Sequence, residues 1–263
     1  MSCEGREEQP HWVVRREEVV LTSEVVGREA WGEVRVAKFR DLQVAAKCLH
    51  QMILSPYNLR QFTQEMTIAA KLHHPYLLLF IGATMEGDPL ILNELMPTSL
   101  HKELEKRELA ERDILLISQD VACGLSYLYQ WKPHPIILCD ISSGNVLLEP
   151  LPNGWRAKVS DYGSANFMNS ISTVSPGCPA YAAPEAGSPL QHSPKMDVFS
   201  YGVLLLEMCL RELPETRTSP EHREAHIQRI QWPNMVSLIR RCISGSPADR
   251  PSMSDIMGLY YTE

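Results

Sequence analysis

The sequence predicts an α+β fold, with a small antiparallel sheet followed by a larger, mostly helical part. Two observations carry this prediction. From Val19 to Leu49 the chain has short Val-rich stretches with alternating apolar and polar residues, which is typical of antiparallel strands. In residues 109–131, apolar residues recur at spacings of three and four, which is the pattern of a long amphipathic helix.

The remaining elements are predicted one by one along the chain. Residues 1–12 are polar and are expected to fray, and the strands follow in VVLTSEVVG, EVRVAKF, LQVAAKCL and about Leu77 to Ala83 and Pro89 to Leu95. A helix is predicted at residues 57–72, a turn in EPLPNGW, a short strand in AKVSDYG and a buried helix at Val198 to Leu210. Pro233 and Pro247 mark the boundaries of later helices.

Composition excludes several classes of protein. The net charge of −7 argues against general nucleic-acid binding and against an anionic membrane surface. The seven cysteines are scattered and never have C-x-x-C spacing, so free thiols in a reducing compartment are expected. The longest apolar-rich run, Val198 to Leu210, is interrupted by polar residues and is too short to span a bilayer. We therefore expect a cytoplasmic protein without a membrane span.

A polar loop lies between two apolar runs in the segment IILCDISSGNVLL, from Ile136 to Leu148. It presents the carboxylate of Asp140 and, five residues later, the carboxamide of Asn145. A carboxylate can accept a proton or bind a hard cation, whereas an amide oxygen can only bind the cation. Asp and Asn are also ordinary turn residues, so this spacing is weak evidence by itself.

Three further features suit a phosphate site, each with a plainer alternative. Gly27 and Gly32 could let the backbone approach a phosphate, although a plain hairpin explains them equally well. Lys47 lies in an apparent strand, where a lysine commonly extends to solvent at a sheet edge. Glu65 lies beside the apolar stripe of the predicted helix, where it would pair with a lysine or be solvated.

In combination these features are more specific. A lysine on the third strand, a glutamate on the first helix, D-x-x-x-x-N, the sequence DYG and the sequence APE follow one another in a fixed order. This order resembles the eukaryotic protein kinase domain. HPYLLLFIGAT, DISSGNVLL and PADRPSM are most similar to the tyrosine-kinase-like group of serine/threonine kinases. The resemblance implies a two-lobed kinase fold, with a polar segment at residues 1–18 and one domain at 19–263. Its N-lobe would extend over about 19–95 and its C-lobe over about 96–263.

The resemblance also implies a role for each matching residue. Lys47, oriented by Glu65, would hold the ATP phosphates, Asp140 would take or orient the proton of the substrate hydroxyl, and Asn145 and Asp161 would bind Mg²⁺. The nucleotide would contact Gly27, Gly32, Val34, Ala45, Leu147 and the backbone of Glu94 and Met96, with Asn93 at the gatekeeper position. Asp197 would anchor the catalytic loop, and Glu185 would pair with Arg250.

The chain departs from the family pattern near these residues. Leu138 and Cys139 replace His and Arg, Ser142 replaces a lysine, and Cys178 replaces a threonine that would bond that lysine and Asp140. Tyr162 replaces the usual Phe, and Glu29 replaces the middle glycine of the nucleotide loop. Without the Arg, activity is not expected to depend on phosphorylation of Ser164, Ser170, Ser172, Thr173 or Ser175.

The expected function is transfer of the ATP γ-phosphoryl group to a Ser or Thr hydroxyl of a protein, with Tyr less favoured. A pseudokinase that acts as a nucleotide-binding or scaffolding module stays open as the alternative, and a small-molecule phosphotransferase is a remote third. The expected cofactors are ATP and Mg²⁺. The expected partners are a protein substrate and a regulatory protein, without nucleic acid.

Overall fold

The computed structural model describes residues 10–29, 32–49, 56–161, 166–167, 177–216 and 219–260. The described residues divide into two compact units. The first contains those up to His73 together with Leu78–Leu95, and the second contains His74–Leu77 and those from Met96 onward. The first holds a sheet and one helix, and the second is mostly helical, so the predicted α+β class is confirmed.

The first unit is built on a five-stranded antiparallel sheet with strand order β1-β2-β3-β5-β4. Its elements are β1 (Val19–Glu29), β2 (Gly32–Phe39), β3 (Leu42–Leu49), α1 (Pro56–Ala69), β4 (Phe80–Ala83) and β5 (Leu90–Glu94). Successive side chains of a strand project to opposite faces. One face forms a buried core that includes Ala37, Val44, Ala46, Leu90 and Leu92. The residues that alternate with them project to the other face of the sheet.

Two predictions for the first unit are wrong in part. The fourth strand begins at Phe80 rather than at Leu77, because Leu77 instead forms an isolated bridge with Val159 in the second unit. The sequence predicts that the polar N-terminal segment frays through residue 12. Trp12 is buried, and its carbonyl accepts a hydrogen bond from the N–H of Ala83 at 3.0 Å. Val13 also forms an isolated bridge with Ala83, so the backbone holds this end of the segment against β4.

The second unit contains five short strands and six α-helices among its described elements. These elements are β6 (Thr98–Ser99), α2 (Leu100–Lys106), α3 (Glu111–Tyr129), β7 (Ile136–Ile137), β8 (Val146–Leu151), β9 (Gly154–Val159), β10 (Asn166–Phe167), α4 (Pro194–Leu210), α5 (Pro220–Ile227), α6 (Pro233–Cys242) and α7 (Met253–Tyr260).

Helix α4 lies at the centre of the second unit, and its residues from Met196 to Met208 are all buried. Ser193 caps its first turn by accepting a hydrogen bond from the N–H of Lys195, and Pro194 occupies the first helical position, where no N–H is needed. The helix ends at Arg211, which has a left-handed backbone with φ of 57°. None of the helices in the described part of the chain is both long and apolar enough to cross a membrane.

The predicted turn in EPLPNGW is shorter than expected. Strand β8 continues to Leu151, and β9 begins at Gly154, which is paired with Leu151. Pro150 is unusual inside a strand, because proline lacks the N–H that a strand ladder uses. However, β6 pairs with β8 only at Leu147 and Leu148, so Pro150 lies where β8 has a partner on one side alone.

Candidate active site

The loop between β7 and β8 is closed by its own polar groups. The side-chain nitrogen of Asn145 donates to the carbonyl oxygen of Asp140 at 2.9 Å and to its Oδ2 atom at 3.0 Å. The backbone N–H of Asn145 donates to the carbonyl of Ser142 at 3.0 Å. Because the amide nitrogen of Asn145 is used inside the loop, its amide oxygen is the end that can face a hard cation.

The other carboxylate oxygen of Asp140 is bound by the main chain. The backbone N–H of Cys178 donates to Asp140 Oδ1 at 2.8 Å. Gly177, just before it, has a left-handed backbone with φ of 83°, and a Cβ atom there would lie 2.0 Å from the carbonyl oxygen of Cys139. Only glycine therefore fits this approach. The sequence showed that the threonine was missing at Cys178 but not that the backbone donates to Asp140.

Asp197, in the first turn of α4, binds the first residues of the same loop. Its Oδ2 atom accepts from the N–H of Leu138 and from the hydroxyl of Tyr129, each at 2.9 Å, and its Oδ1 atom accepts from the N–H of Cys139 at 2.8 Å. This confirms the predicted anchoring role of Asp197. Burial raises the pKa of its carboxyl to about 6, although the three donors oppose that change. Tyr129 was not predicted to take part.

The end of β9 is tied to the loop through Ser160. Both the backbone N–H and the hydroxyl of Ser160 donate to the carbonyl of Asn145, at 2.8 and 3.0 Å. Asp161 follows directly, half-buried and with φ of 64°. The second unit thus brings the segments that carry Asp140, Asn145 and Asp161 together at the ends of neighbouring strands.

A buried hydrogen-bond network connects the loop between β7 and β8 to helix α4. The hydroxyl of Ser143 donates to Glu207 Oε1 at 2.7 Å, and the hydroxyl of Tyr181 donates to Glu207 Oε2 at 2.6 Å. The two hydroxyl oxygens lie 3.1 Å apart, and all three residues are buried. Burial raises the pKa of Glu207, and burial followed by the charge of Glu207 raises that of Tyr181.

Sequence reasoning missed this network. Ser143, Tyr181 and Glu207 lie far apart along the chain, so no local motif contains them. One signal was available: Glu207 interrupts the apolar run from Val198 to Leu210, and a carboxylate in a buried helix needs hydrogen-bond donors.

In the first unit, the predicted nucleotide residues share one face of the sheet. Val34 on β2 and Lys47 on β3 are directly opposite each other, and Val36 is opposite Ala45. Directly opposite residues project to the same face, so Val34, Ala45 and Lys47 lie together on the face away from the core. All three are half-buried. Gly27 is opposite Val34, and a Cβ atom at Gly27 would meet only the Val34 side chain, at 3.9 Å.

The other predicted contact residues are spread over several segments of the two units. Glu94 ends β5, where its N–H donates to the carbonyl of Leu79 at 3.0 Å and its Oε1 atom accepts from the N–H of Leu79 at 2.7 Å. Glu65 lies in α1 and is half-buried. In the second unit, Met96 and Leu147 are half-buried. Gly32 begins β2 and is buried.

Several predictions fall on residues outside the described part of the chain. These are Tyr162, the side chain of Glu29 and the five hydroxyl residues Ser164, Ser170, Ser172, Thr173 and Ser175.

A buried ion pair confirms one structural prediction in the second unit. Arg250 Nη1 and Nη2 donate to the two carboxylate oxygens of Glu185 at 2.5 and 2.9 Å. The Arg250 side chain is 0% exposed and that of Glu185 is 5% exposed. A bidentate pair with so little solvent contact holds the segment of Glu185 against that of Arg250.

Comparison with known proteins identifies the class that this fold and these residues define. The protein kinase domain family matches residues 21–262 of the chain. The chain therefore belongs to the protein kinase family, as the sequence resemblance predicted.

Individual relatives agree with this assignment. The dual specificity protein kinase shkB of Dictyostelium discoideum is 29% identical over 97% of this chain and 42% of its own length. The serine/threonine-protein kinase CTR1 of Arabidopsis thaliana is 30% identical over 90% of this chain and 30% of its own length. The probable serine/threonine-protein kinase SIS8 of the same plant is 31% identical over 91% of this chain and 24% of its own length. The chain thus spans less than half the length of each of these relatives.

Proposed function

We propose that this chain is an ATP- and Mg²⁺-dependent protein kinase that phosphorylates Ser or Thr hydroxyls of a protein, with Tyr as the less favoured acceptor. The observation that supports this most is that hydrogen bonds fix the orientation of the Asp140 carboxylate. Its two carboxylate oxygens accept from Asn145 and from the N–H of Cys178. A general base must be held in one orientation to meet a substrate hydroxyl, and these two donors hold it.

The residues present fit the two cofactors that the family implies. The Asn145 amide nitrogen is committed to Asp140, which leaves the oxygen end for a hard cation such as Mg²⁺. In the first unit, a Cβ at Gly27 would meet only Val34, so the protein's own packing does not require glycine there. A glycine that leaves this space open suits a nucleotide loop.

The proposed mechanism is electrostatic and positional. When bound, ATP supplies the transferable phosphoryl group and Mg²⁺ offsets its negative charge. In the first unit, Lys47 would hold the phosphates and Glu65 would orient Lys47. In the second unit, Asn145 and Asp161 would hold the metal, and Asp140 would orient the attacking hydroxyl and take its proton. Gly32, Val34, Ala45, Leu147 and the backbone of Glu94 and Met96 would contact the nucleotide.

The proposed limits of the domain are residues 19–263, with the N-lobe to about 95 and the C-lobe from about 96. The names of the relatives support a serine/threonine or dual specificity kinase. We also propose a cytoplasmic location, because scattered cysteines without C-x-x-C spacing suit a reducing compartment. We further propose a regulatory protein partner, because Cys139 carries no positive charge with which to bind a phosphorylated loop.

The test is phosphoryl transfer from labelled ATP with Mg²⁺, to the chain itself and to a mixture of Ser, Thr and Tyr peptides. Asp140→Asn keeps an acceptor for Cys178 but cannot take a proton, so transfer is expected to fall by about 100-fold or more. Lys47→Met should also abolish transfer. Thermal melting with and without ATP shows whether each variant is folded.

The pseudokinase alternative is one outcome of this test. If ATP raises the melting temperature but no peptide is phosphorylated, the chain binds nucleotide without being a kinase. Transfer that survives Asp140→Asn would contradict the proposed role of Asp140.

A further inference from the structure

Two histidines of helix α5, in the second unit, hold their side chains together at the protein surface. His222 lies in the first turn of this helix and His226 in its last turn, four residues on, so both side chains lie on one face. Their Nε2 atoms are 3.2 Å apart. His222 is exposed and His226 is half-buried, so solvent and small ions can reach the pair.

A hydrogen bond between the two rings accounts poorly for this arrangement. A strong hydrogen bond is close to linear, with each ring nitrogen directed along the line that joins the two atoms. The ring centroids are only 4.6 Å apart, which is too short for rings that point end to end. The rings are therefore inclined to the line between the Nε2 atoms. An ion bound by both atoms lies beside that line and requires such an inclination.

The separation of the two nitrogens matches a metal ion that both of them bind. Zinc binds imidazole nitrogen at about 2.0–2.1 Å, and two such bonds at an angle of roughly 90–110° place the nitrogens about 2.9–3.4 Å apart. Neutral imidazole is a ligand for Zn²⁺, Cu²⁺ and Ni²⁺, whereas Mg²⁺ prefers oxygen. The pair therefore suits a transition-metal ion and not the cation proposed for Asn145 and Asp161.

The surroundings limit the site to two protein ligands. Arg229 donates to both carboxylate oxygens of Glu212, at 2.7 and 2.6 Å, and lowers the pKa of Glu212, to which the charge of His226 adds. Glu212 is thus close enough to interact with a positive charge at His226, but its oxygens are bound by Arg229. Within the ranges that the structure describes, no group of three or more His, Cys, Asp or Glu residues could hold a metal ion.

We propose that His222 and His226 bind one Zn²⁺ ion through their Nε2 atoms, with water in the remaining positions. Both rings are then neutral and carry their hydrogen on Nδ1. The ion links the first turn of α5 to its last turn. It stabilises the folded protein, because the unfolded chain does not hold the two nitrogens together. The residues proposed for phosphoryl transfer all lie outside α5, so zinc binding requires neither a nucleotide nor kinase activity.

The test is calorimetric titration with Zn²⁺ in an excess of Mg²⁺, which occupies any site for hard cations. The wild type is compared with His222→Gln, His226→Gln and the double variant, since glutamine is polar and forms helices well but has no imidazole. His11→Gln removes an exposed histidine of the first unit and is the matched control. The wild type and His11→Gln should bind one more equivalent of zinc than either single variant of α5. The double variant should bind as much as the single ones, because one histidine alone cannot chelate the ion.

Thermal melting separates metal binding from a structural role of the histidines. Without metal, all five proteins should melt at similar temperatures. Zinc should raise the melting temperature of the wild type and of His11→Gln by more than that of the three α5 variants. A wild type that binds no more zinc than His226→Gln would overturn the inference. So would single variants that each lose half of what the double variant loses, since the two histidines would then act independently.

Discussion

The backbone N–H of Cys178 donates a 2.8 Å hydrogen bond to the Oδ1 atom of Asp140. At this place the family pattern has a threonine, whose side chain bonds the catalytic carboxylate and a lysine. Here Cys178 and Ser142 replace both residues. The main chain still reaches Asp140, because Gly177 allows it to pass close to the carbonyl of Cys139. Loss of the side-chain contact therefore does not leave Asp140 without a donor on this side.

Gly177→Ala is expected to lower the rate of phosphoryl transfer by about 100-fold, because a displacement of about 1 Å in a positioned group can have an effect of that size. A Cβ atom would lie 2.0 Å from the carbonyl oxygen of Cys139, so the segment must move and take the Cys178 N–H with it. Steady-state kinetics measure the rate, and urea unfolding measures any loss of stability.

Two control variants separate this effect from ordinary backbone strain. Gly87 also has a left-handed backbone, with φ of 68°, but a Cβ atom there would meet nothing within 4 Å. Gly87→Ala should therefore be strained by a similar amount without affecting transfer. Cys178→Ala keeps the N–H and should change the rate by no more than about twofold. The interpretation is wrong if Gly177→Ala is no slower than Gly87→Ala.

Ser143→Ala should reduce both stability and transfer. The substitution takes one of two hydroxyl donors from the buried carboxylate of Glu207, which is expected to cost about 1–3 kcal/mol of unfolding free energy. Transfer should also slow, because Ser143 lies inside the loop between Asp140 and Asn145. Urea unfolding and kinetics provide the two measurements.

Ser142→Ala is the matched control for this prediction. Ser142 is the neighbouring serine, and its hydroxyl makes no hydrogen bond among the residues that the structure describes. Its loss should leave the free energy of unfolding within about 0.5 kcal/mol of the wild type. Equal destabilisation by the two substitutions would argue against the importance of the Glu207 network.

The fold was predictable where a pattern is long enough to be periodic. Helix α3 and strands β1 to β3 follow from apolar spacing alone. Strands β6 and β7 have two residues each, which is too short for any period, and they form because neighbouring segments supply hydrogen-bond partners. The extent of β8 was not predictable, because the strand includes Pro150 at a place that needs no N–H on the unpaired side.

The residues of the candidate site were predictable where they lie close together in the sequence and form a recognisable motif. Asp140 and Asn145 are five residues apart, and the resemblance gave them roles. The contact between Cys178 and Asp140 was not predictable, because it depends on a backbone conformation at Gly177 that sequence does not specify. For Glu207, the sequence indicated only a charged residue within an apolar run. It did not indicate the hydrogen-bond partners Ser143 and Tyr181.

The pH dependence of stability should include a component from Asp120. This residue of α3 accepts a hydrogen bond from the N–H of Ala157 on β9 at 2.8 Å, and burial raises its pKa from 3.8 to about 6. Between these two values the native state binds more protons than the unfolded state. The stabilising contribution of Asp120 is therefore fully present below pH 3.8 and is lost as the pH rises through about 6.

Asp120→Asn should remove this component, because the amide does not ionise and its oxygen can still accept from Ala157. The variant is expected to gain stability relative to the wild type at about pH 7.5, and the difference should shrink toward about pH 4.5. Urea unfolding across this range is the measurement, with Asp88→Asn on an exposed loop as the control. A difference that does not vary with pH would contradict the assignment to Asp120.

The ion pair between Glu185 and Arg250 should behave as a buried pair rather than as a surface one. Arg250→Met leaves the Glu185 carboxylate buried without its partner and is expected to cost about 3–5 kcal/mol of unfolding free energy. Adding Glu185→Leu removes the unpaired charge, so the double variant should be less destabilised than the sum of the single variants. It should not regain full stability, because Arg250 also donates to the carbonyls of Ser244 and Lys195, at 2.8 and 2.9 Å. Urea unfolding of the four proteins gives the coupling free energy, and strict additivity would show that the pair contributes nothing beyond its separate parts.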